Sequence, residues 1–207
     1  MVAFTPQEHA RLEHAVAEAE QQTSAEIVLS VTEASDSYET FALLGASIAG
    51  VLALAVLAIF WPDSHVRFAL VVSLGAASLV GFALQWQPLR LAVVPPALRA
   101  RAASRLARLQ FAEAVAGRTK AANGLLIFVS VAEHHVEILP DRGLAATIPD
   151  SVWQGIVSHL PTEVQRDGVV DSLVGVVKAC TRELARAYPY EAGDVNEISN
   201  AVNIPKG

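Results

Sequence analysis

Cysteine and charge are scarce in this chain, and the usual catalytic signatures are missing. Cys180 is the only cysteine, so no internal disulfide can form, which suits a reducing compartment. No phosphate loop, nucleophile elbow or Rossmann glycine set occurs, and there is no HExxH. His9 and His14 are five apart, roughly 140° around a helix. His134 and His135 are adjacent and point apart in a strand or turn, so they cannot chelate together. No zinc centre is expected from them. Cys180 occupies an apolar helical position without an evident cationic neighbour, so it is expected to be a small buried hydrophobe and not a nucleophile. Charged residues are 17% of the chain, against roughly 25% in soluble domains.

Apolar residues take up that share, 53% of the 207 residues, and they are unevenly spread. "FALLGASIAGVLALAVLAIF", Phe41–Phe60, carries no charge. At about 1.5 Å per helical residue it reaches roughly 30 Å, the thickness of a hydrocarbon core. "FALVVSLGAASLVGFAL", Phe68–Leu84, is also free of charge and sits at the short end for a span, so it is expected to borrow Val66 or Gln85 and Trp86. Between them "WPDSHVR" supplies a turn through Pro62 and Asp63. Two such runs rarely occur as core helices of soluble proteins. The chain before them carries Glu8, Glu13, Glu18, Glu20, Glu26, Glu33, Asp36 and Glu39, which does not resemble a cleaved signal peptide. Trp61 and Trp86 stand at span ends, where amphipathic rings prefer to lie. A two-span membrane hairpin is therefore expected.

Basic residues orient it. The short loop has Arg67 alone, whereas Arg90, Arg99, Arg101, Arg105 and Arg108 follow the second span. The positive-inside bias places that segment, and hence both termini, in the cytoplasm. The spans contain no ionisable residue, so an ion path through them is not expected. Gly45, Gly50, Gly75, Ser78 and Gly81 instead suggest close helix packing, within the hairpin or between copies.

Outside the hairpin, "TPQEH" predicts a helix over 5–22 with a threonine cap and Pro6 at its first position. "AEIVLSVTE" predicts a strand over 26–32. A helix is predicted from the double proline to Gly117, with a Leu98, Ala102, Leu106 and Leu109 stripe beside Arg101, Arg105 and Arg108. Two readings fit that helix: the basic stripe lies at anionic lipid headgroups, or the leucines pack on a sheet and the arginines are solvated. Gly124 to Ala132 reads as a strand covered on both faces, Glu133 and His134 as a two-residue turn, and "HVEIL" as a second strand. "PDRG" reads as a turn. A helix then runs from Pro149 or Asp150 to a stop before Pro161. A last helix turns Val169, Leu173, Val176, Val177, Cys180 and Leu184 inward. The tail, 191–207, shows no strong periodicity and is expected to be extended or partly disordered. A lone first strand is unstable, so it must pair with the later ones. The expected organisation is one α/β domain, 1–40 and 85–190, interrupted by a hairpin over 41–84.

These residues resemble the TPM domain family, in particular its bacterial membrane proteins with an inserted hairpin. "TSAEIVLSV" is similar to the family's first strand, with Ser24 where glycine is common. "FAEAVAGRTKAANGLLIFVSVAEHHVEILPDRGL", "IPDSVWQGIV" and "DVNEI" are similar to its later blocks. The resemblance implies an αβα domain with a small mixed sheet, in the bacterial cytoplasmic (inner) membrane as a multi-pass protein. Relatives often stand outside the cytoplasm, which opposes the arginine count. Some plant-type relatives are regarded as weak, calcium-associated acid phosphatases, and an animal relative accompanies a neurotransmitter receptor.

On that resemblance, any metal site involves Asp150, which matches an acidic position of the family, with calcium as the candidate ion; Asp141 lies close by, where many relatives carry a different residue or a shifted acid, and is the second candidate ligand. Two aspartates give too few of the six to eight oxygens calcium takes, unless backbone or water helps. Alternatively, Asp150 simply caps the following helix. Gly143 and Gly124 are expected to serve turns, Gly143 through a positive φ. The arginine stripe lacks interleaved aromatics in a chain of net charge −6, so nucleic acid is not an expected partner. The bilayer, anionic headgroups and other membrane proteins are. Two functions follow: a non-catalytic module that binds or assists membrane proteins, docking beside Gly143, or a metal-dependent phosphatase using Asp150 and Asp141.

Overall fold

The computed structural model describes residues 5–190, 197 and 198, so the tail prediction falls almost wholly outside the described residues. In chain order the elements are α1 (Pro6–Glu20), β1 (Glu26–Thr32), α2 (Glu39–Phe60), α3 (Val66–Ala83), α4 (Gln87–Val93) and α5 (Pro96–Ala114). β2 (Gly124–Ser130), β3 (His135–Pro140), α6 (Arg142–Thr147), α7 (Asp150–Asp167) and α8 (Val169–Ala187) follow. The chain forms two compact units, one over Asp36–Ala100 and the other from the residues on either side of it.

The second of these is a mixed α/β domain. Its helix α1 opens with a reciprocal cap: the Glu8 N–H donates to Thr5 Oγ1 at 3.3 Å, and the Thr5 N–H donates to Glu8 Oε2 at 2.7 Å. The Thr5 N–H, and then the Thr5 hydroxyl donating to the same oxygen at 2.8 Å, hold the Glu8 carboxyl below its ordinary range. β1 pairs in parallel with β2, Glu26 opposite Gly124 and Thr32 opposite Ser130. β2 pairs antiparallel with β3, Leu126 opposite Leu139. The central strand thus comes from one side of the inserted unit and its parallel neighbour from the other. Neither stretch could bury its backbone polar groups alone.

Side chains alternate across a strand, and both faces here are apolar. Ile27, Leu29, Val31, Leu125, Ile127 and Val129 join a core with residues of α1, α7 and α8. Val28, Leu126 and Phe128 join a second core with Ala103 and Ala107 of α5. The layers are therefore helix, sheet, helix. Every residue of β1 and β2 is buried, the pattern of strands covered twice.

Local departures from the predicted elements have physical causes. β2 ends at Ser130, not Ala132, where its pairing with Thr32 of β1 and His135 of β3 stops, although the Val131 and Ala132 N–H groups still donate to Thr32 O and Glu33 O, at 3.0 and 2.9 Å. The following turn is Val131–His134, closed by a His134 residue with φ 51°. α7 continues through Pro161 to Asp167, since a proline removes one helical hydrogen bond without forbidding the helix. The short α4, with Pro88 in its first turn, lies where no element was predicted.

The other unit contains α2 and α3, both long and apolar enough to cross a membrane and nearly bare of covering protein. They pack on each other through small residues. Ser73 Oγ donates to Gly50 O at 3.0 Å. A Cβ on Gly50 would sit 3.3 Å from Ser73 Oγ, and one on Gly81 3.4 Å from Ala46 Cβ. Gly75 faces open space and takes no part in that packing.

Candidate functional site

β1 starts at Glu26, β2 starts at Gly124 and β3 hands over to Asp141 just past Pro140, so all three arrive at one end of the sheet. The Glu26 N–H donates to Asn123 O at 3.3 Å and the Asp141 N–H donates to Gly124 O at 2.8 Å. Gly124 is the first residue of β2 and not a turn. A Cβ there would come within 2.5 Å of Val115 Cγ1, so any larger residue would have to displace the Val115 side chain.

The "PDRG" stretch is likewise not a free turn. Asp141 caps α6, and Gly143 lies inside that helix; among the described residues only Gly117 and Gly168 are glycines with positive φ. Gly143 is required for close approach instead. Its N–H donates to Ala122 O at 2.9 Å, and a Cβ would fall 2.7 Å from both Ala121 O and Ala122 O. Tyr188 Oη donates to Gly143 O at 2.9 Å, Thr23 Oγ1 donates to Tyr188 O at 2.6 Å, and Asn123 Nδ2 donates to Ser24 O at 2.5 Å. The Asn-Gly and Gly-Leu segments thus brace one another, backbone to backbone.

The two aspartates have different surroundings. Asp141 is buried; its Oδ1 accepts the Arg142 N–H at 2.7 Å, and its Oδ2 has no hydrogen-bond partner among the described residues. Asp150 is exposed at the first position of α7, where Oδ2 accepts Gln154 Nε2 at 2.7 Å. A carboxylate in a first helical turn is favoured by the helix dipole without binding anything. Among the described residues no three His, Cys, Asp or Glu gather as a metal would need. One spare carboxylate oxygen does not fit an ion that takes six to eight.

A second polar cluster, between α5 and β3, escaped the sequence reading. Ser104 Oγ donates to Glu137 Oε2 at 2.6 Å, and His135 Nε2 lies 3.1 Å from the same oxygen. The His135 hydrogen bond, then the Ser104 one and the nearby charges of His135 and Arg108, hold the Glu137 carboxyl below its ordinary range against the opposing effect of burial. Only half of its signal lay in the sequence: His135 and Glu137 alternate onto one strand face and Ser104 and Arg108 are four apart on a helix, but no local pattern brings those two elements together. The residue types suggest a nucleophilic triad, but the order is wrong. In such a triad the imidazole stands between hydroxyl and carboxylate. Here one carboxylate oxygen takes both, and Ser104 Oγ is 3.5 Å from His135 Nε2. The cluster clamps α5 to the edge strand.

Along α5, the predicted leucine stripe divides. Ala102 is buried and Leu106 packs partly against the sheet, but Leu98 and Leu109 are exposed. Ala103, Ala107 and Gln110 form the rest of the buried face, where Gln110 Oε1 accepts the Ser30 hydroxyl. Arg101, Arg105 and Arg108 are exposed. A groove of about 890 Å³ lies elsewhere, between α1, α7 and α8, with Ala15, Ala19, Gly155 and Val176 among its lining and Glu18, His159 and Arg182 beside them. Cys180 is buried, and desolvation pushes its thiol up to about 12.

No curated protein matches the chain. Among solved structures, the NMR structure of the BA42 protein from the psychrophilic bacterium Bizionia argentinensis is similar in fold, with a TM-score of 0.56 at 16% identity. The similarity covers 99% of this chain and 98% of that one. The sequence model of the TPM domain matches residues 64–182. That match runs from the α3 helix through the braced Asn-Gly and Gly-Leu segments into α8 and takes in more than half of the sequence, so the chain belongs to the TPM domain family.

Proposed function

We propose that this chain is a membrane-anchored TPM-domain protein of the bacterial inner membrane, serving as a non-catalytic binding or accessory module for other membrane proteins. The observation that carries the reading is where the polar groups go. Asp150 is held by Gln154, Glu137 by Ser104 and His135, and Tyr188 by Gly143, so each serves the fold. Two nearly uncovered apolar helices give the domain its anchor. The arginines following the second span favour cytoplasmic termini.

A second reading, a calcium-associated phosphatase, has one observation behind it: the buried Asp141 Oδ2 without a partner among the described residues. The donor set around it does not fit calcium, so no catalytic step is derived from it.

Phosphomonoester hydrolysis by the purified full-length protein in detergent separates the two, run with and without calcium beside Asp141→Asn and Asp150→Asn. No turnover above a protein-free control is expected. Calcium-dependent turnover that a normally folded aspartate variant loses would put the phosphatase reading first.

A further inference from the structure

We propose that the outer face of α5 rests on an anionic lipid surface, with Arg101, Arg105 and Arg108 taking the phosphate headgroups and Leu109 entering the acyl boundary. The inference rests on the reading that α2 and α3 span a bilayer.

Helical spacing places Arg101, Arg105, Arg108, Leu109 and Ala112 on one side of α5, opposite Ala103, Ala107 and Gln110. The inner side is committed to the sheet through small residues. The outer side is exposed throughout. Arg101 and Arg105 form no ion pair among the described residues, and Arg108 stands near Glu137, whose bonds go to Ser104 and His135. Arg101 and Arg105, with no ion pair among the described residues, and Arg108 beside Glu137 put a local concentration of positive charge on one face of a chain with net charge −6. An arginine fork binds phosphate in two places at once.

Chain length favours lipid over any other anion. Between the end of α3 at Ala83 and the start of α5 at Pro96 lies the seven-residue α4 with a few linking residues. At about 1.5 Å per helical and 3.4 Å per extended residue this connection cannot exceed about 30 Å. A headgroup layer is therefore always within reach of α5, whereas a soluble polyanion must be captured from solution. An exposed leucine among arginines also suits an interfacial helix, which pairs apolar insertion with headgroup attraction.

The test uses the full-length protein carrying Ala112→Cys. Cys180 is buried, so a fluorophore goes to the new thiol alone. The labelled protein is reconstituted into nanodiscs of phosphatidylcholine, with or without phosphatidylglycerol, and quenched by headgroup-depth lipid quenchers. Strong quenching is expected with phosphatidylglycerol only, and it should weaken at high salt. Arg101→Gln with Arg105→Gln and Arg108→Gln should lower the surface-contact equilibrium on the order of a hundredfold, at roughly fivefold per arginine. Continued unreactivity of Cys180 shows that this variant is folded. Incorporation without quenching, quenching equal in both lipids, or quenching that survives the triple change would each overturn the inference while leaving the anchor intact. Failure to incorporate into either disc would overturn the anchoring reading along with it.

Discussion

Tyr188 donates its hydroxyl to Gly143 O at 2.9 Å, tying the end of α8 to the first turn of α6. The same hydroxyl lies 3.1 Å from Thr147 Oγ1, and the Tyr188 carbonyl takes bonds from Thr23 Oγ1 at 2.6 Å and the Ser24 N–H at 3.1 Å. One residue thereby joins α6, α8 and the approach to β1. Tyr188→Phe removes the hydroxyl bonds while keeping the ring. A loss of about 1 kcal/mol is expected, read as a lower urea midpoint with unchanged slope. A midpoint identical to that of the parent would show the brace to be dispensable.

Gly143 should be intolerant of even one methyl group. The atoms a Cβ would meet are backbone oxygens, which cannot rotate away as a side-chain end could. Gly143→Ala is expected to cost about 1–3 kcal/mol as an overpacked site. Gly155→Ala is the control, because nothing lies within 4 Å of its Cβ position in the exposed middle of α7. There the removal of a helix-interior glycine should stabilise by up to about 1 kcal/mol. Paired urea titrations of the two variants should therefore move in opposite directions.

The parts of this fold that were legible in the sequence are those set by short-range rules. Thr5, Pro6 and Glu8 announce the start of α1, and the β-branched run places β1 over Glu26–Thr32. Val66 begins α3, the first of the two extensions that the short second apolar run left open, and the helix ends at Ala83 without taking in Gln85 or Trp86. What could not be read depends on distant partners. Gly143 looks like a turn glycine until Ala121 and Ala122 are packed beneath it. The inward face of α5 looks leucine-lined, yet the helix lies on the sheet through Ala103 and Ala107, and Leu109 is left outside. Of the candidate site, Asp141 and Asp150 are close in sequence, but one is buried as a cap and the other exposed in a helical turn. The Ser104, His135 and Glu137 cluster joins two elements whose contact no local pattern specifies.

The Glu137 clamp should appear in the acid limb of stability. Its folded carboxyl titrates below the ordinary 4.5, so the folded state prefers the ionised form. Its stabilising contribution is therefore complete above pH 4.5 and is lost as pH falls from there through the depressed folded value. Glu137→Gln should be less stable than the parent at neutral pH, with the difference shrinking below pH 4.5. Ser104→Ala, which removes one donor, should fall between them. Urea titrations across the acid range check this; a difference between Glu137→Gln and the parent that does not vary with pH would assign the clamp to packing alone.

Cys180 reports on the same domain from inside. It lies in the core shared by α1, β1, β2, α7 and α8, and its thiol is pushed up to about 12 by desolvation. Only the thiolate attacks a disulfide or maleimide reagent, so burial blocks the reaction both sterically and chemically. In the native protein at mildly alkaline pH, labelling should be limited by opening of the domain and should accelerate with urea along the unfolding transition. Because α8 packs against both α1 and the sheet, Leu12→Ala should raise the labelling rate by way of an opening equilibrium weakened by about 2–5 kcal/mol. Arg101→Gln, on the outer face of α5, should leave that rate unchanged. Mass-spectrometric counting of modified protein over time measures both. Fast labelling of the parent without denaturant would place Cys180 on a path open to solvent and remove it as a reporter of the core.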